Sequence, residues 1–404
     1  MPKVTPILLT VIGVSALILV IGAVGSAQQP AVAPVVPPAL TFVPIHPIAP
    51  PARPLLRESE SANVTKFSFL AYGDTRNAGV PAGGVPVPGD GDILHPIHSQ
   101  IVDAMIARIQ TLAGTPYPVR FVVQSGDAVL RGATGAQWNV SFTPIIERLT
   151  RVGGVPLFFS VGNHDVTGMP AGDPGRMMGL HNTLTAFSRL MPPEGSPRRL
   201  SGYPTYTFGY GNSFFIAFDS NLADDRLQLA WVTDQLEHLD RARYRHVVAF
   251  FHHPVFSSGP HGGVGKIEPQ TLAIRTSYMP LFRKHHVRLI LTGHDHLYDH
   301  WVERFVDNGV SHRIDSIVTG GGGAPPYAYS GEPDLLDYLA AGEAQQVRLE
   351  HLARPAPVAA DNPHHFVIVQ VDGDRLSLEV VGIGPAPFAP FEGRSRVELS
   401  DRAS

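Results

Sequence analysis

Five apolar stretches of this 404-residue chain each end in a short polar cluster, and this pattern constrains the fold more than any other feature. Every cluster supplies Asp, Asn or His. In α/β proteins, ligands bind outside the carboxyl ends of the strands. Five segments that deliver metal-binding side chains to such an edge indicate a metal centre. In chain order, the clusters are Asp74, Asp127, Asn163-His164-Asp165, His252-His253 and His294-Asp295-His296.

The order of apolar and amphipathic segments predicts an α/β fold. The apolar stretches are continuous, and segments with helical spacing separate them, as expected of a sheet that is covered on both faces. Strands without intervening helices follow near the end of the chain and indicate antiparallel additions. We expect helices near 97–113, 143–151, 180–190, 224–240 and 270–285, a hairpin within 206–218, and late strands at 299–306, 312–319, 365–371 and 375–382.

Composition excludes several classes of site. A hydrophobic fraction of 44% provides for a sizeable core, and the net charge is -4 with His neutral. The chain has no run of five or more Lys and Arg residues, which disfavours sequence-independent binding to a nucleic-acid backbone. Cysteine is absent, so disulfides, thiolate metal sites and Cys nucleophiles are excluded.

The chain is expected to divide into four segments. Residues 1–27 contain an apolar run over 7–24, which predicts either a cleaved signal peptide or an uncleaved membrane anchor. Residues 28–63 are rich in proline and predict an extended linker. Residues 64–384 would form the folded domain, and 385–404 a tail. We therefore expect the domain to be exported to the periplasm or the outside, or to be held outside the cytoplasm by a membrane attachment through residues 7–24.

The residue types of the clusters suit first-row transition metals such as Zn, Mn or Fe. An Asp carboxylate has two oxygens, so a single Asp can bridge two ions. Two ions about 3.5–4 Å apart can clamp the oxygens of an in-line displacement at phosphorus. Such a centre needs ligands from several strands, and the clusters supply them.

The ordered clusters resemble those of the calcineurin-like metallophosphoesterases, the family that includes the purple acid phosphatases. A single Gly-Asp pair carries no information, but five blocks in the family's order form a specific pattern. The resemblance implies a four-layer α/β/β/α sandwich with a two-metal site at the strand ends. It also implies hydrolysis of phosphate esters by a metal-bridging hydroxide. The matching blocks are Gly73-Asp74, Gly126-Asp127, Gly162-Asn163-His164-Asp165, His252-His253-Pro254 and Gly293-His294-Asp295-His296.

The same resemblance implies a role for each residue of the pattern. His164 would stabilise the transition state or protonate the leaving oxygen, and Asp165 would orient His164. Small phosphate esters, chiefly monoesters, would be the substrates, and two divalent or trivalent ions of Mn, Fe or Zn the cofactors. The ligands would be Asp74, Asp127 and His296 for the first metal, and Asp127, Asn163, His252 and His294 for the second.

Two positions depart from the family pattern. Many members have a His ligand two residues after the first Asp, where this chain has Arg76. A guanidinium cannot ligate a cation, so Arg76 either holds a substrate phosphate by bidentate hydrogen bonds or forms a salt bridge with a nearby carboxylate. The purple acid phosphatases have an iron-binding Tyr where this chain has Leu130, so a preference for ferric iron does not follow. The first metal keeps few protein ligands, and we expect it to bind weakly or to exchange.

Two other functions are compatible with this pattern. A phosphodiesterase or nuclease would use the same metal core and differ in the pocket loops. A non-catalytic, cell-surface binding module would keep the fold, but retention of the metal-type residues together with His164 argues against it. Outside the pattern, we expect His253 to orient a metal ligand and the loop 259–265 to border the substrate pocket. We expect a surface or packing role for His261.

Overall fold

Two mixed β-sheets and the helices around them make up the computed structural model. It describes residues 43–77, 89, 91–166, 174–263, 265–384 and 387–399. The apolar stretch 7–24, with its predicted signal or anchor, lies outside these ranges. Within them, no helix is both long and apolar enough to cross a membrane.

Thirteen strands and seven α-helices are formed by the described residues. The strands are β1 (Lys66–Tyr72), β2 (Val119–Gln124), β3 (Leu157–Phe159), β4 (Tyr206–Tyr210), β5 (Ser213–Ala217), β6 (His246–Phe250), β7 (Leu289–Thr292), β8 (Tyr298–Asp307), β9 (Val310–Thr319), β10 (Arg348–Ala353), β11 (His364–Asp372), β12 (Arg375–Ile383) and β13 (Arg396–Leu399). The helices are α1 (Pro96–Leu112), α2 (Thr143–Arg148), α3 (Pro174–Ala186), α4 (Arg226–Glu237), α5 (Pro269–Ala273), α6 (Met279–Lys284) and α7 (Leu336–Ala341).

Both sheets combine a parallel centre with antiparallel additions. The first sheet has the order β13-β12-β11-β1-β2-β3, in which β1, β2 and β3 are parallel. The second has the order β10-β8-β9-β7-β6-β5-β4, in which β5, β6, β7 and β9 are parallel. Leu70 pairs with Val122, and Val122 pairs with Leu157. The first three strands therefore end at one edge of their sheet, directly before the first three polar clusters.

The inner faces of the two sheets share one apolar core, and helices cover the outer faces. Strand β6 is apolar from Val247 to Phe250 because both of its faces are buried. Val248 and Phe250 belong to the core between the sheets, whereas Val247 and Ala249 belong to the cluster formed with α4 and α6. Helices α1 and α2 contribute buried side chains on the other side, next to the first sheet. The α/β fold with two sheets, expected from the resemblance, is confirmed.

The segment 43–63 differs from the extended linker that its proline content predicts. Ile48 is fully buried, and its backbone N–H donates to the carbonyl of Ala186 at 2.9 Å. Farther along, the Glu58 carboxylate accepts hydrogen bonds from Arg198 and Tyr244. Proline removes donors but leaves the apolar side chains between prolines free to pack. Residues 43–63 therefore lie against the domain that we expected to begin at residue 64.

The end of the chain also differs from the expected tail at 385–404. Strand β13 pairs antiparallel with β12, with Leu399 opposite Leu376, and the Leu399 side chain is buried. Strand β10 extends the second sheet beside β8, and α7 precedes it; neither element is among those expected from the sequence. These elements are short, so hydrophobic periodicity gives them little signal.

Candidate metal centre

The predicted clusters lie in the loops that follow β1, β2, β3, β6 and β7, and three of their residues have left-handed backbone conformations. The φ angles are 61° at Asp74, 54° at Asp127 and 72° at His294. Such angles are uncommon for residues with a β-carbon and concentrate at functional sites. Neighbouring glycines leave room for the carboxylates: a β-carbon at Gly162 would collide with that of Asp127, and one at Gly293 with that of Asp74.

Three histidines of the pattern each have one ring nitrogen held by an oxygen acceptor. Carbonyl and carboxylate oxygens only accept hydrogen bonds, so the contacting nitrogen must carry the proton. Burial lowers the pKa of His252 and of His296 to about 3, so these two rings are neutral and their other nitrogens carry lone pairs. The contacts are His252 Nδ1 to Ser125 O at 3.0 Å, His294 Nε2 to Glu268 Oε2 at 2.9 Å, and His296 Nδ1 to Pro325 O at 2.8 Å.

The free nitrogens of two of these rings face each other across the second predicted metal position. His252 Nε2 lies 3.1 Å from His294 Nδ1, 2.8 Å from Asn163 Oδ1 and 3.4 Å from Asp127 Oδ1. When both rings are neutral and their N–H groups are engaged elsewhere, these two nitrogens carry lone pairs and cannot hydrogen-bond to each other. A cation placed among them would give both lone pairs a partner, so the donor set fits a transition-metal ion.

The two carboxylates beside this point differ in their electrostatic surroundings. Burial and the neighbouring Asp127 raise the pKa of Asp74. Burial also acts to raise that of Asp127, but His252, His164 and Arg76 outweigh burial and hold the Asp127 pKa below its ordinary value. Ligand atoms of Asp74, Asp127 and His252 lie within 4.8 Å of one another. Asp127 is therefore an ionised carboxylate at the centre of the cluster.

On the side of the first predicted metal, the guanidinium of Arg76 contacts both Asp127 and His296. Its Nε lies 3.2 Å from Asp127 Oδ2, and its Nη2 lies 3.2 Å from His296 Nε2. The Arg76 side chain is only 10% exposed. Of the two roles that we considered for Arg76, the structure forms the salt bridge with a carboxylate.

Asp165 does not orient His164, as the resemblance implied that it would. His164 Nδ1 donates to the carbonyl of Leu130 at 2.8 Å, and its Nε2 lies 4.0 Å from Asp127 Oδ2. Asp165 is fully buried, and its carboxylate accepts no hydrogen bond from His164. Its oxygens accept the backbone N–H groups of Asp127, Ala128, Val129 and Gly162. Asp165 thus stabilises the loop that carries Asp127. Its side chain points toward that loop, and the carbonyl of Leu130 orients His164 instead.

Sequence reasoning missed Glu268 and the environment of His261. The two oxygens of Glu268 contact His294 Nε2 and His261 Nδ1, both at 2.9 Å. These hydrogen bonds hold the pKa of Glu268 low, although burial acts to raise it. Glu268 lies just before α5 and belongs to none of the polar clusters that follow apolar stretches. The only sequence feature that pointed to it is its position just after the 259–265 loop.

His253 contacts the hydroxyl of Ser220 rather than a carboxylate. Its Nδ1 lies 2.9 Å from Ser220 Oγ, and the same hydroxyl accepts the backbone N–H groups of His252 and His253. The centroid of the His253 ring lies 4.6 Å from that of His294. His253 therefore packs beside a metal-type histidine, as expected of a residue that orients a ligand.

Comparison with known proteins agrees with this fold. Among solved structures, the purple acid phosphatase PPD1 of yellow lupin (Lupinus luteus) matches with a TM-score of 0.55 at 17% identity, over 80% of this chain and 52% of the lupin chain. This chain thus spans about half the length of that enzyme. GAP50 of Plasmodium matches at 13% identity with a TM-score of 0.45, over 84% of this chain and 90% of GAP50.

A dimetal phosphatase of Danio rerio also matches, at 13% identity with a TM-score of 0.43, over 83% of this chain and 99% of the other. No curated protein sequence matches significantly. The sequence model of the calcineurin-like phosphoesterases matches residues 91–298, about half of the chain, from before the Asp127 cluster to just after His296. This chain belongs to the calcineurin-like phosphoesterase family.

Proposed function

We propose that this chain is a metal-dependent phosphatase that hydrolyses small phosphate monoesters. Its family implies a dinuclear metal centre and phosphoester hydrolysis. The observation that carries the proposal is the convergence of His252 Nε2, His294 Nδ1 and Asp127 Oδ1 on one buried point. In the neutral rings the two nitrogens present lone pairs to the same point as the Asp127 carboxylate, and this donor set suits a metal ion.

The residues that would hold an ion at this point are Asp127, Asn163, His252 and His294. A bound ion would supply a Lewis acid, which polarises a phosphoryl oxygen and lowers the pKa of water. Hydrogen bonds from the rings to Ser125 O and Glu268 fix the ring orientations, as second partners of metal-binding histidines generally do.

His164 is the described residue best placed to act on a substrate beside this centre. Its side chain is 30% exposed, whereas that of Asp127 is buried. The hydrogen bond to Leu130 O directs Nδ1 away and leaves Nε2 toward the cluster. From this position, Nε2 would contact a phosphoryl oxygen or pass a proton to the leaving oxygen.

Composition favours a small substrate over a polynucleotide. A nuclease would have to bind a phosphate backbone, and this binding needs a basic surface. The chain is acidic overall and lacks a Lys/Arg run. A phosphodiesterase would use the same metal core, so only its substrate preference distinguishes it, and the test below measures that preference.

The test compares an aryl phosphate monoester with a bis-aryl diester, before and after chelation. We expect faster turnover of the monoester, loss of turnover on metal removal, and recovery with Mn²⁺ or Zn²⁺. Turnover that survives thorough chelation would overturn the proposal, and faster turnover of the diester would replace phosphatase by phosphodiesterase.

The variant His164→Ala separates catalysis from metal binding. We expect kcat to fall by about 10²–10⁴, the range for loss of a general acid, with unchanged metal content. His238→Ala is the matched control, because the His238 side chain is 77% exposed on α4's C-terminal end and pairs only with Asp234 among the described contacts. Turnover of His164→Ala at the wild-type rate would contradict the assigned role.

A further inference from the structure

We infer that the Arg76 guanidinium replaces the first metal ion, so that this chain binds one divalent ion where its family implies two. The inference deepens the proposed function and rests on it only for the second metal position. It rests on three contacts of Arg76, with Asp127, His296 and Tyr327, and on a contrast between the two sides of Asp127.

The guanidinium contacts Asp127 and His296, two of the three residues that the resemblance implies for the first ion. Arg76 Nε donates to Asp127 Oδ2 at 3.2 Å. Arg76 Nη2 lies 3.2 Å from His296 Nε2, the nitrogen left with a lone pair because Nδ1 donates to Pro325 O. A guanidinium has donors and no acceptor, so Arg76 donates to both. On the first-metal side of the cluster, Asp127 Oδ2 and His296 Nε2 therefore already accept hydrogen bonds from the positively charged Arg76 side chain.

The two sides of Asp127 differ in this respect. On one side, His252 Nε2 and His294 Nδ1 lie 3.1 Å apart, and in the neutral rings both carry lone pairs. On the other side, the free nitrogen of His296 has a donor in Arg76. One half of the cluster thus has unsatisfied lone pairs that fit an ion, and the other half does not. Asp127 would still bridge two positive charges, one of them a guanidinium.

Arg76 is fixed in this position by the chain around it. The backbone N–H groups of Asp74 and Thr75 donate to the carbonyls of Gly126 and Asp127, both at 2.9 Å, so the loop that carries Arg76 is tied to the loop that carries Asp127. Tyr327 stacks on the ring of His296, with centroids 4.1 Å apart, and hydrogen-bonds Arg76. The guanidinium is enclosed on several sides and is not a surface group that swings away.

A second dication at this place would lie in contact with a fixed positive charge. Like charges at contact distance repel strongly when both are buried. Asp74 and Asp127 could offset such repulsion only in part, because Asp127 already forms the ion pair with Arg76. The Arg in place of a His ligand therefore changes the metal stoichiometry and not only the affinity.

Metal counting tests this inference without reference to turnover. The purified full chain is stripped of metal, dialysed against excess Mn²⁺, freed of unbound ions and measured by elemental analysis. We expect one manganese per wild-type chain and an electron paramagnetic resonance spectrum of isolated ions. In Arg76→His, which restores a neutral imidazole ligand, we expect two per chain and the spectrum of a spin-coupled pair.

Two further variants serve as controls. Arg76→Lys keeps the positive charge and is expected to hold the count at one. Arg151→His makes the same substitution at an arginine whose side chain is 65% exposed, and is also expected to leave the count at one. Thermal unfolding of each variant establishes that it folds.

The possible results separate the inference from the proposed function. Two ions in the wild-type chain would overturn the inference alone, and so would a count of one in folded Arg76→His. No bound ion in the wild type would overturn the proposed metal centre itself. Because the wild-type count is decisive, the test does not depend on whether a variant folds.

Discussion

Asp165 shows how a single buried carboxylate can organise a site without touching the reacting groups. Its two oxygens accept backbone N–H groups from the loop that carries Asp127, and burial together with the Asp127 carboxylate raises its pKa while those N–H groups oppose the rise. Residue type and order predicted the metal-type side chains. They could not show which backbone group each side chain contacts, because the Leu130 and Pro325 carbonyls carry no side-chain signal.

Asp165→Asn is expected to lower the free energy of unfolding by about 2–3 kcal/mol. The NH2 group of the amide would face backbone N–H groups, and these buried donors would lose their acceptor. Urea denaturation of the metal-free protein measures this change. Asp234→Asn is the matched control, with its side chain 60% exposed and an expected change within about 0.5 kcal/mol. Unaltered stability of Asp165→Asn would show that the loop does not depend on this carboxylate.

Glu268 acts at the same scale through His294. In Glu268→Ala, no carboxylate fixes the orientation of the His294 ring or keeps its proton on Nε2. We therefore expect the affinity for Mn²⁺ to fall about 10–100-fold. Calorimetric titration of the metal-free chain measures the affinity. Glu237→Ala removes a carboxylate that is 46% exposed and pairs with Lys284 on the surface, and should not change it. Equal affinities for the two variants would contradict a role for Glu268 in orienting His294.

The sequence pattern predicted the central strands and the longer helices, but it did not predict the short strands at the sheet edges. Strand β2 lies at Val119–Gln124, as its apolar run predicts, because both of its faces are buried. Strand β13 has only four residues, and exposed positions alternate with more buried ones. Its pairing with β12 comes from tertiary contact, which local sequence does not encode. The same holds for residues 43–63, where composition alone indicated a linker.

Leu399→Ala tests whether β13 is part of the domain. The Leu399 side chain is buried in the core cluster of the first sheet, so its truncation should cost about 2–4 kcal/mol in the free energy of unfolding. Glu398→Ala changes the exposed neighbour on the same strand and should stay within about 0.5 kcal/mol. Chemical denaturation of both variants provides the comparison, and equal midpoints would mean that β13 does not hold the sheet edge.

At the scale of the whole molecule, the fold also buries several histidines that are not part of the metal-type clusters. Burial lowers the pKa of His95, His246 and His365 to about 4 in each case. The mixed α/β class followed from sequence periodicity, and the four-layer arrangement followed from the family resemblance. Neither indicated that these histidines would be enclosed, because an isolated His has no periodic pattern.

These buried rings predict acid lability. Between about pH 6.5 and pH 4 the unfolded chain binds protons that the folded chain does not, so stability falls as the pH falls through this window. Each ring should contribute on the order of 1 kcal/mol per pH unit. Urea denaturation of the metal-free protein across the window measures the slope, which should be shallower in His246→Gln. A stability that is flat between these pH values would contradict the prediction.

The ion pair between Arg76 and Asp127 has a consequence for the time before any metal arrives. A newly made chain, or one stripped of metal, already holds a counter-charge against the buried Asp127 carboxylate of its centre. The charge of this carboxylate is thus compensated before any ion binds, and under the stoichiometry inferred above a single ion would complete the centre.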